Sequence, residues 1–171
     1  MIKENLILTK MSEEEWEDFR SIRLEALRTN PSVFLSSYDS ALSQNEEYWK
    51  SQLRSDANAI FLLKDGKTPV GLTGAFRSRE SPEDTVAFGM SFLRPEYRGC
   101  GLSALFYEAR IKWAKEQDGI NRIIVVHRAG NEASRGANQK FGFVFYEVIE
   151  ADFPDGTRDF EYKYELRWLK L

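Results

Sequence analysis

The segment Arg98-Gly99-Cys100-Gly101-Leu102-Ser103 holds the residue types and spacing that most directly prescribe chemistry. Gly99 and Gly101 let the backbone approach a ligand closely, and an amphipathic helical pattern begins immediately after them. Free N–H groups and the positive end of a helix dipole therefore meet at this turn, which suits a diphosphate. Ser103 adds a hydroxyl donor and Arg98 a charge. Gly99-x-Gly101-x-x-Ala104 also fits the dinucleotide fingerprint, but that site wants an acidic residue after the next strand. The next strand ends in Val126-His127-Arg128, and too little chain remains for two mononucleotide halves. A P-loop is excluded because no Gly-Lys-Ser/Thr closes the segment. The plain alternative is a turn that only packs a helix closely onto a sheet.

Candidates for proton transfer are few. His127 is the sole histidine, and an imidazole with a pKa of about 6.5 takes up a proton near neutrality. Strand alternation equally lets it face away and serve only as a hydrogen-bonding group. Glu83 and Asp84 precede a central strand and can act through water, although such residues are ordinarily a solvated turn. Cys100, at a helix N-terminus, has a setting that lowers a thiol pKa, but no histidine neighbours it as a nucleophile requires. It reads as incidental, although thiol reagents there should block ligand entry.

These residues must be positioned by a mixed α/β framework of the α+β type. Leu6-Ile7-Leu8 reads as a strand. Ser12 with Glu15 forms a capping box, followed by Trp16, Phe19, Arg23, Ala26 and Leu27 at helical spacing up to Asn30-Pro31. Pro31 to Ser43 reads as loop, and a second capping box, Ser43 with Glu46, opens a helix through Trp49 and Leu53. Ala59–Leu63 and Val70–Phe76 flank the hairpin signal Asp65-Gly66, and Thr85–Leu93 is the next strand. The helix carrying Leu102, Leu105, Phe106, Ala109 and Trp113 ends near Gly119. Ile123–Val126 is a buried strand, 131–141 a helix, and Phe143–Ile149 with Phe160–Leu166 the closing strands.

At 171 residues the chain reads as one domain spanning 1–171. A net charge of −3 with scattered basic residues argues against a nucleic-acid partner. The longest aliphatic run, Ile123-Ile124-Val125-Val126, is too short to cross a bilayer, so no membrane partner is expected. One cysteine excludes an internal disulfide framework and fits a reducing compartment. The first residues lead into no long apolar region, so the expected location is cytoplasmic. No metal site is expected.

The run from Leu93 to Ser103 resembles the acetyl-CoA motif of the GNAT superfamily of N-acetyltransferases, which reads Val-x-Pro-x-x-Arg/Gln-x-x-Gly-x-Gly/Ala. Asn131-Glu132-Ala133-Ser134 followed by Lys140-Phe141-Gly142-Phe143 is similar to the family's second block. The resemblance implies a mostly antiparallel sheet with helices on both faces and a parallel pair, Thr85–Leu93 and Arg122–Val126, that splays apart to admit acetyl-CoA. It implies that the backbone of Ser91, Phe92 and Leu93 pairs with the pantetheine arm. Arg98, Gly99, Cys100, Gly101, Leu102, Ser103 and Ala104 would hold the pyrophosphate, and Asn131 would contact the arm. The reaction implied is direct attack of an amine on the thioester, and a homodimer is common among such proteins.

The sequence departs from that pattern at the proton-transfer positions. Where many members carry a tyrosine as the acid for the leaving thiolate, this chain has Asn138, kept as a binding residue, with Ser134 and Tyr146 as substitutes for the acid. The position of a family carboxylate, five residues before Asn131, is Val126, which leaves its neighbour His127 as the candidate base. These departures motivate an alternative, a non-catalytic acyl-CoA-binding regulatory module. The acceptor is open among a polyamine, an aminoglycoside, an amino acid and a protein N-terminus. By that resemblance the region of Phe34, Tyr38, Tyr48 and Trp49 would form its wall, the alternative being that these aromatics only pack the core.

Overall fold

The computed structural model describes residues 5–77 and 81–169. Seven strands, β1 (Leu6–Lys10), β2 (Asn58–Asp65), β3 (Thr68–Phe76), β4 (Thr85–Leu93), β5 (Arg122–Arg128), β6 (Val144–Asp152) and β7 (Arg158–Arg167), form one sheet in the order β1-β2-β3-β4-β5-β7-β6. Every neighbouring pair is antiparallel except β4 with β5. Helices α1 (Trp16–Thr29), α2 (Tyr38–Leu42) and α3 (Glu46–Arg54) precede β2; α4 (Ser103–Glu116) follows β4, and α5 (Glu132–Lys140) follows β5.

Strand periodicity sorts the core into two layers. Ile60, Leu62, Leu72 and Phe92 pack against Phe19, Ile22 and Ala26 of α1 and Trp49 and Leu53 of α3. On the opposite face, Ala59, Phe61, Ala75, Val86, Phe88, Ile123 and Val125 pack against Tyr107, Trp113 and Ala114 of α4. Alternate residues of β2 thus serve opposite layers, as a period of two demands. Phe19 meets Trp49 edge to face at 5.2 Å, which locks α1 to α3.

The expected mixed sheet with helices on both faces is therefore present. Two local readings need correction. The segment 31–43 is not all loop: Ser37 accepts a hydrogen bond from Ser40 N at 3.2 Å and caps α2. The cap of α3 is Asn45, whose Oδ1 accepts from Tyr48 N at 3.0 Å, while Ser43 closes α2 by donating its hydroxyl to Ser40 O. Two cap-competent residues two positions apart, Ser43 and Asn45, make the start ambiguous.

β4 carries the irregularity that shapes the site. Leu72 pairs with Phe92 and Gly74 with Gly89, so Thr73 alone faces both Met90 and Ser91. This is a β-bulge, and Met90 lies at φ 60, the left-handed region that a non-glycine residue seldom adopts. The extra residue switches the strand's faces. Val86 and Phe88 point to the α4 layer, whereas Phe92 points to the α1–α3 layer. Parallel pairing of β4 with β5 runs only from Thr85–Arg122 to Ala87–Ile124; beyond it the strands part.

Candidate active site

The gap beyond Ala87 connects two cavities, one toward each helical layer. A cavity of about 290 Å³ lies on the α4 side, walled by Ser91, Leu93, Arg98, Gly99, Gly101 and Ser103, with Ala133 and Ala137 of α5 opposite. A cavity of about 240 Å³ extends toward α1 and the 33–35 loop, walled by Phe34, Gly89, Val126 and Glu161. Ser91, Tyr107, Arg110 and Ser134 line both. These four residues mark a passage between the strands.

The glycine turn has the local structure that its sequence asks for. Gly99 and Gly101 have φ of 74° and 79°, and a Cβ on either would meet nothing within 4 Å. Their role is conformational freedom and an open approach. The start of α4 has no side-chain cap and no acidic residue in its first turn. The positive helix end is thus available to an anion. Arg98 donates from Nε to Leu93 O at 2.8 Å, tying the turn to the end of β4. These features fit a diphosphate-bearing acyl carrier.

The remaining expected ligand residues are placed unevenly. Phe92 buries its side chain in the α1–α3 layer, leaving only its backbone near the gap. Cys100 is exposed, its thiol 3.0 Å from Tyr97 O, and neither it nor Ala104 walls the α4-side cavity, although Leu102 does. Asn131 caps α5 by accepting from Ser134 N at 3.2 Å and lines the α1-side cavity. Asn138 is fully buried at the same cavity; its Oδ1 accepts from the Tyr107 hydroxyl, and its Nδ2 has no partner.

His127 occupies the face of β5 shared with Ile123 and Val125, which packs on α4 and α5. Its Nδ1 lies 2.8 Å from Arg128 O and its Nε2 lies 3.1 Å from the Tyr164 hydroxyl. A carbonyl can only accept, so Nδ1 carries the proton and Nε2 accepts from Tyr164. The lone pair that a general base needs is already engaged.

Four residues lining the α1-side cavity belong to no motif in the sequence. Tyr107 stacks on Phe141 at 4.5 Å, and burial raises its pKa, so it stays protonated at neutral pH. Arg110 is 2% exposed, donates to Phe106 O and Ser91 Oγ, and sits 4.1 Å over the Phe88 ring. Burial pushes its pKa down to about 10, which still leaves it charged at neutral pH. Glu161 of β7, paired in register with Arg128, is 7% exposed, and burial raises its carboxyl pKa. Arg23 of α1, 6% exposed, completes the wall beside Phe34. A signal existed for Arg110 and Arg23: each falls in a row of apolar helix positions, where a charge is out of place.

A sequence model described as "Acetyltransferase (GNAT) domain" matches residues 5–144, and the chain belongs to this family. It is an acetyltransferase domain. No curated protein matches the chain in sequence. Among solved structures it is similar to a GNAT-family acetyltransferase from Streptococcus pneumoniae, at 18% identity and a TM-score of 0.80 over 95% of this chain and 99% of that one. It is also similar to a ribosomal-protein-S5-alanine acetyltransferase from Vibrio fischeri, at 15% identity and a TM-score of 0.79 over 96% and 93% of the two chains. A third relative is a ribosomal L7/L12 alpha-N-protein acetyltransferase in complex with coenzyme A, at 14% identity and a TM-score of 0.75 over 96% and 94%. Among the described residues no helix is long and apolar enough to cross a membrane.

Proposed function

We propose that the protein, one domain acting in the cytoplasm, moves an acetyl group from acetyl-CoA to an amine. The observation that carries this reading is the passage at Ser91, Tyr107, Arg110 and Ser134, where a diphosphate-competent cavity and an acceptor cavity meet between the splayed strands. The turn from Arg98 to Ser103 holds the pyrophosphate. Ser91, Leu93 and Ser134 line the path of the pantetheine arm. Asn138 Nδ2, buried without a partner, donates to the bound acyl carrier.

When bound, acetyl-CoA supplies an electrophilic thioester carbonyl and a thiolate leaving group. Glu161, the only carboxylate among the described residues of the acceptor wall, removes the proton from the attacking amine, directly or through one water. This displaces His127, whose acceptor nitrogen is held by Tyr164, from the base to a positioning role. Tyr107, its hydroxyl turning from Asn138 Oδ1 to the leaving sulfur, gives up its phenolic proton in place of the tyrosine replaced by Asn138, and Arg110 stabilises negative charge developing there. The atoms balance: the amine proton goes to the Glu161 carboxylate, the C–S bond breaks as the C–N bond forms, and the Tyr107 proton ends on sulfur.

Purified protein should gain thermal stability with acetyl-CoA or CoA and release CoA thiol with acetyl-CoA and a suitable amine. Absence of the thermal shift would remove the donor from the proposal. CoA binding with no thiol release across a broad amine panel would favour the regulatory-module reading instead.

A further inference from the structure

We infer that the acceptor carries a carboxylate beside its amine, and that Arg23 receives it. The inference rests on reading the gap between β4 and β5 as the transfer site, and it narrows the acceptor to small amino-acid-like molecules.

Arg23 projects from the middle of α1 into the wall of the acceptor cavity. The Phe34 ring lies 4.8 Å from its guanidinium carbon, Tyr48 is within electrostatic reach, and its Nη1 is buried with no hydrogen-bond partner. Burial lowers its pKa to about 10, so it remains a cation at neutral pH. Leaving a buried charged donor unpaired is costly. Other arginines show how this chain usually meets that cost. Arg94 is paired with Glu25, Arg122 with Glu165, and Arg128 with Asp155 and Asp159. Arg110 spends its donors on Phe106 O and Ser91 Oγ.

The charges of the wall favour the same class. Arg23, Arg110 and Arg128 face the cavity and Glu161 is the only described carboxylate there. Arg128 is already neutralised by Asp155 and Asp159, but a polyamine or aminoglycoside would still bring several cations toward the Arg23 and Arg110 guanidinium groups. A carboxylate gives Arg23 charge-assisted hydrogen bonds in the fork geometry that guanidinium groups favour, while the amine end turns toward Glu161. The cavity of about 240 Å³ accommodates a molecule of amino-acid size. Phe34 belongs to the 33–35 loop that walls this cavity and covers the face of Arg23, so rotation of its ring admits the anion.

The test compares a panel of free amino acids, their carboxamides and spermidine as acceptors at saturating acetyl-CoA, in the wild type and in Arg23→Gln and Arg23→Lys. The wild type should prefer free acids to matched amides by roughly tenfold or more in kcat/KM, and spermidine should be poor. Arg23→Gln should bring that ratio close to unity, and Arg23→Lys should restore part of it. Calorimetric binding of the N-acetyl amino acids with CoA present separates this inference from the transfer reading. Loss of that binding in Arg23→Gln, with no turnover of any amine by the wild type, supports the carboxylate site and sinks the transfer reading. Equal use of acids and amides by the wild type, a preference for spermidine, or carboxylate binding that ignores Arg23→Gln overturns the inference. Removing an unpaired buried charge should leave the fold intact, so an unchanged or higher Tm in Arg23→Gln verifies that the readout is specific.

Discussion

The Tyr107 hydroxyl donates to Asn138 Oδ1, joining the second turn of α4 to the last turn of α5. A phenol thus stands beside the position where the family pattern leads one to expect a tyrosine, but it arrives from a different helix. The bond also fixes the Asn138 amide so that its Nδ2 is the free donor.

Tyr107→Phe keeps the ring that stacks on Phe141 and removes the hydroxyl, with its proton and its bond to Asn138 Oδ1. We expect kcat to fall by roughly 10²-fold, the lower end for a lost general acid. A thioester donor with a more acidic thiol should restore much of the rate. A purely structural Tyr107 would lower Tm without this donor dependence.

Glu161 must be ionised to act as a base, and burial raises its pKa above the ordinary carboxylate value. The wild-type kcat/KM should therefore fall as pH drops through that raised value, because protonation removes the base. Glu161→Gln should lose roughly 10²-fold in kcat/KM and lose this acid limb. If the limb persists in Glu161→Gln, the titration belongs elsewhere.

The contrasting substitution is His127→Ala. It leaves the Tyr164 hydroxyl without its acceptor, so stability should drop by about 1–3 kcal/mol. CoA affinity should stay nearly intact and turnover should suffer far less than in Glu161→Gln. A loss of turnover equal to that of Glu161→Gln would return the base to the imidazole.

Gly101 sits at φ 79 in open space, so Gly101→Ala tests backbone conformation without a clash. The left-handed conformation costs an alanine about 1–2 kcal/mol. Both Tm and CoA affinity should fall, and a thermal shift with CoA that matches the wild type would show that the turn is not the pyrophosphate site.

Arg128 ties the hairpin between β6 and β7 to the 30s loop through Asp155, Asp159, Thr157 and Ser32 O. Hydrogen bonds from Thr157 and from Arg128 lower the Asp155 pKa from 3.8 to about 2. A carboxylate whose folded pKa is depressed stabilises the fold above its unfolded pKa and loses that contribution as pH falls through the folded value. Between about pH 4 and pH 2 the wild type should lose Tm more steeply than Asp155→Asn. Parallel Tm curves would show that this bond is not coupled to folding.

The glycine turn and the two-layer sheet were legible because they rest on local rules. Gly99 and Gly101 announce a left-handed turn, and the alternating residues of β2 announce two buried faces. Glu161 was not legible: in sequence it alternates with Phe160 and Tyr162 like any solvent-facing charge. Only its register opposite Arg128 brings it to the gap. Tyr107 and Asn138 are 31 positions apart, and their meeting depends on how α4 and α5 settle against β5. The cap of α3 shows a smaller failure of the same kind, since Ser43 and Asn45 compete locally and the turn of α2 decides between them.

The bulge at Met90 makes the opening between β4 and β5 a matter of counting rather than of side-chain type. The strand holds one residue more than β3 requires, with Ser91 toward Thr73 and Arg110 and Phe92 toward Trp49. Excising Met90 would leave Ser91 directly opposite Thr73 in a regular ladder, keeping those two orientations while removing the bulge's kink and extra twist. A mutational survey limited to substitutions would leave this determinant invisible, whereas a one-codon deletion would expose it.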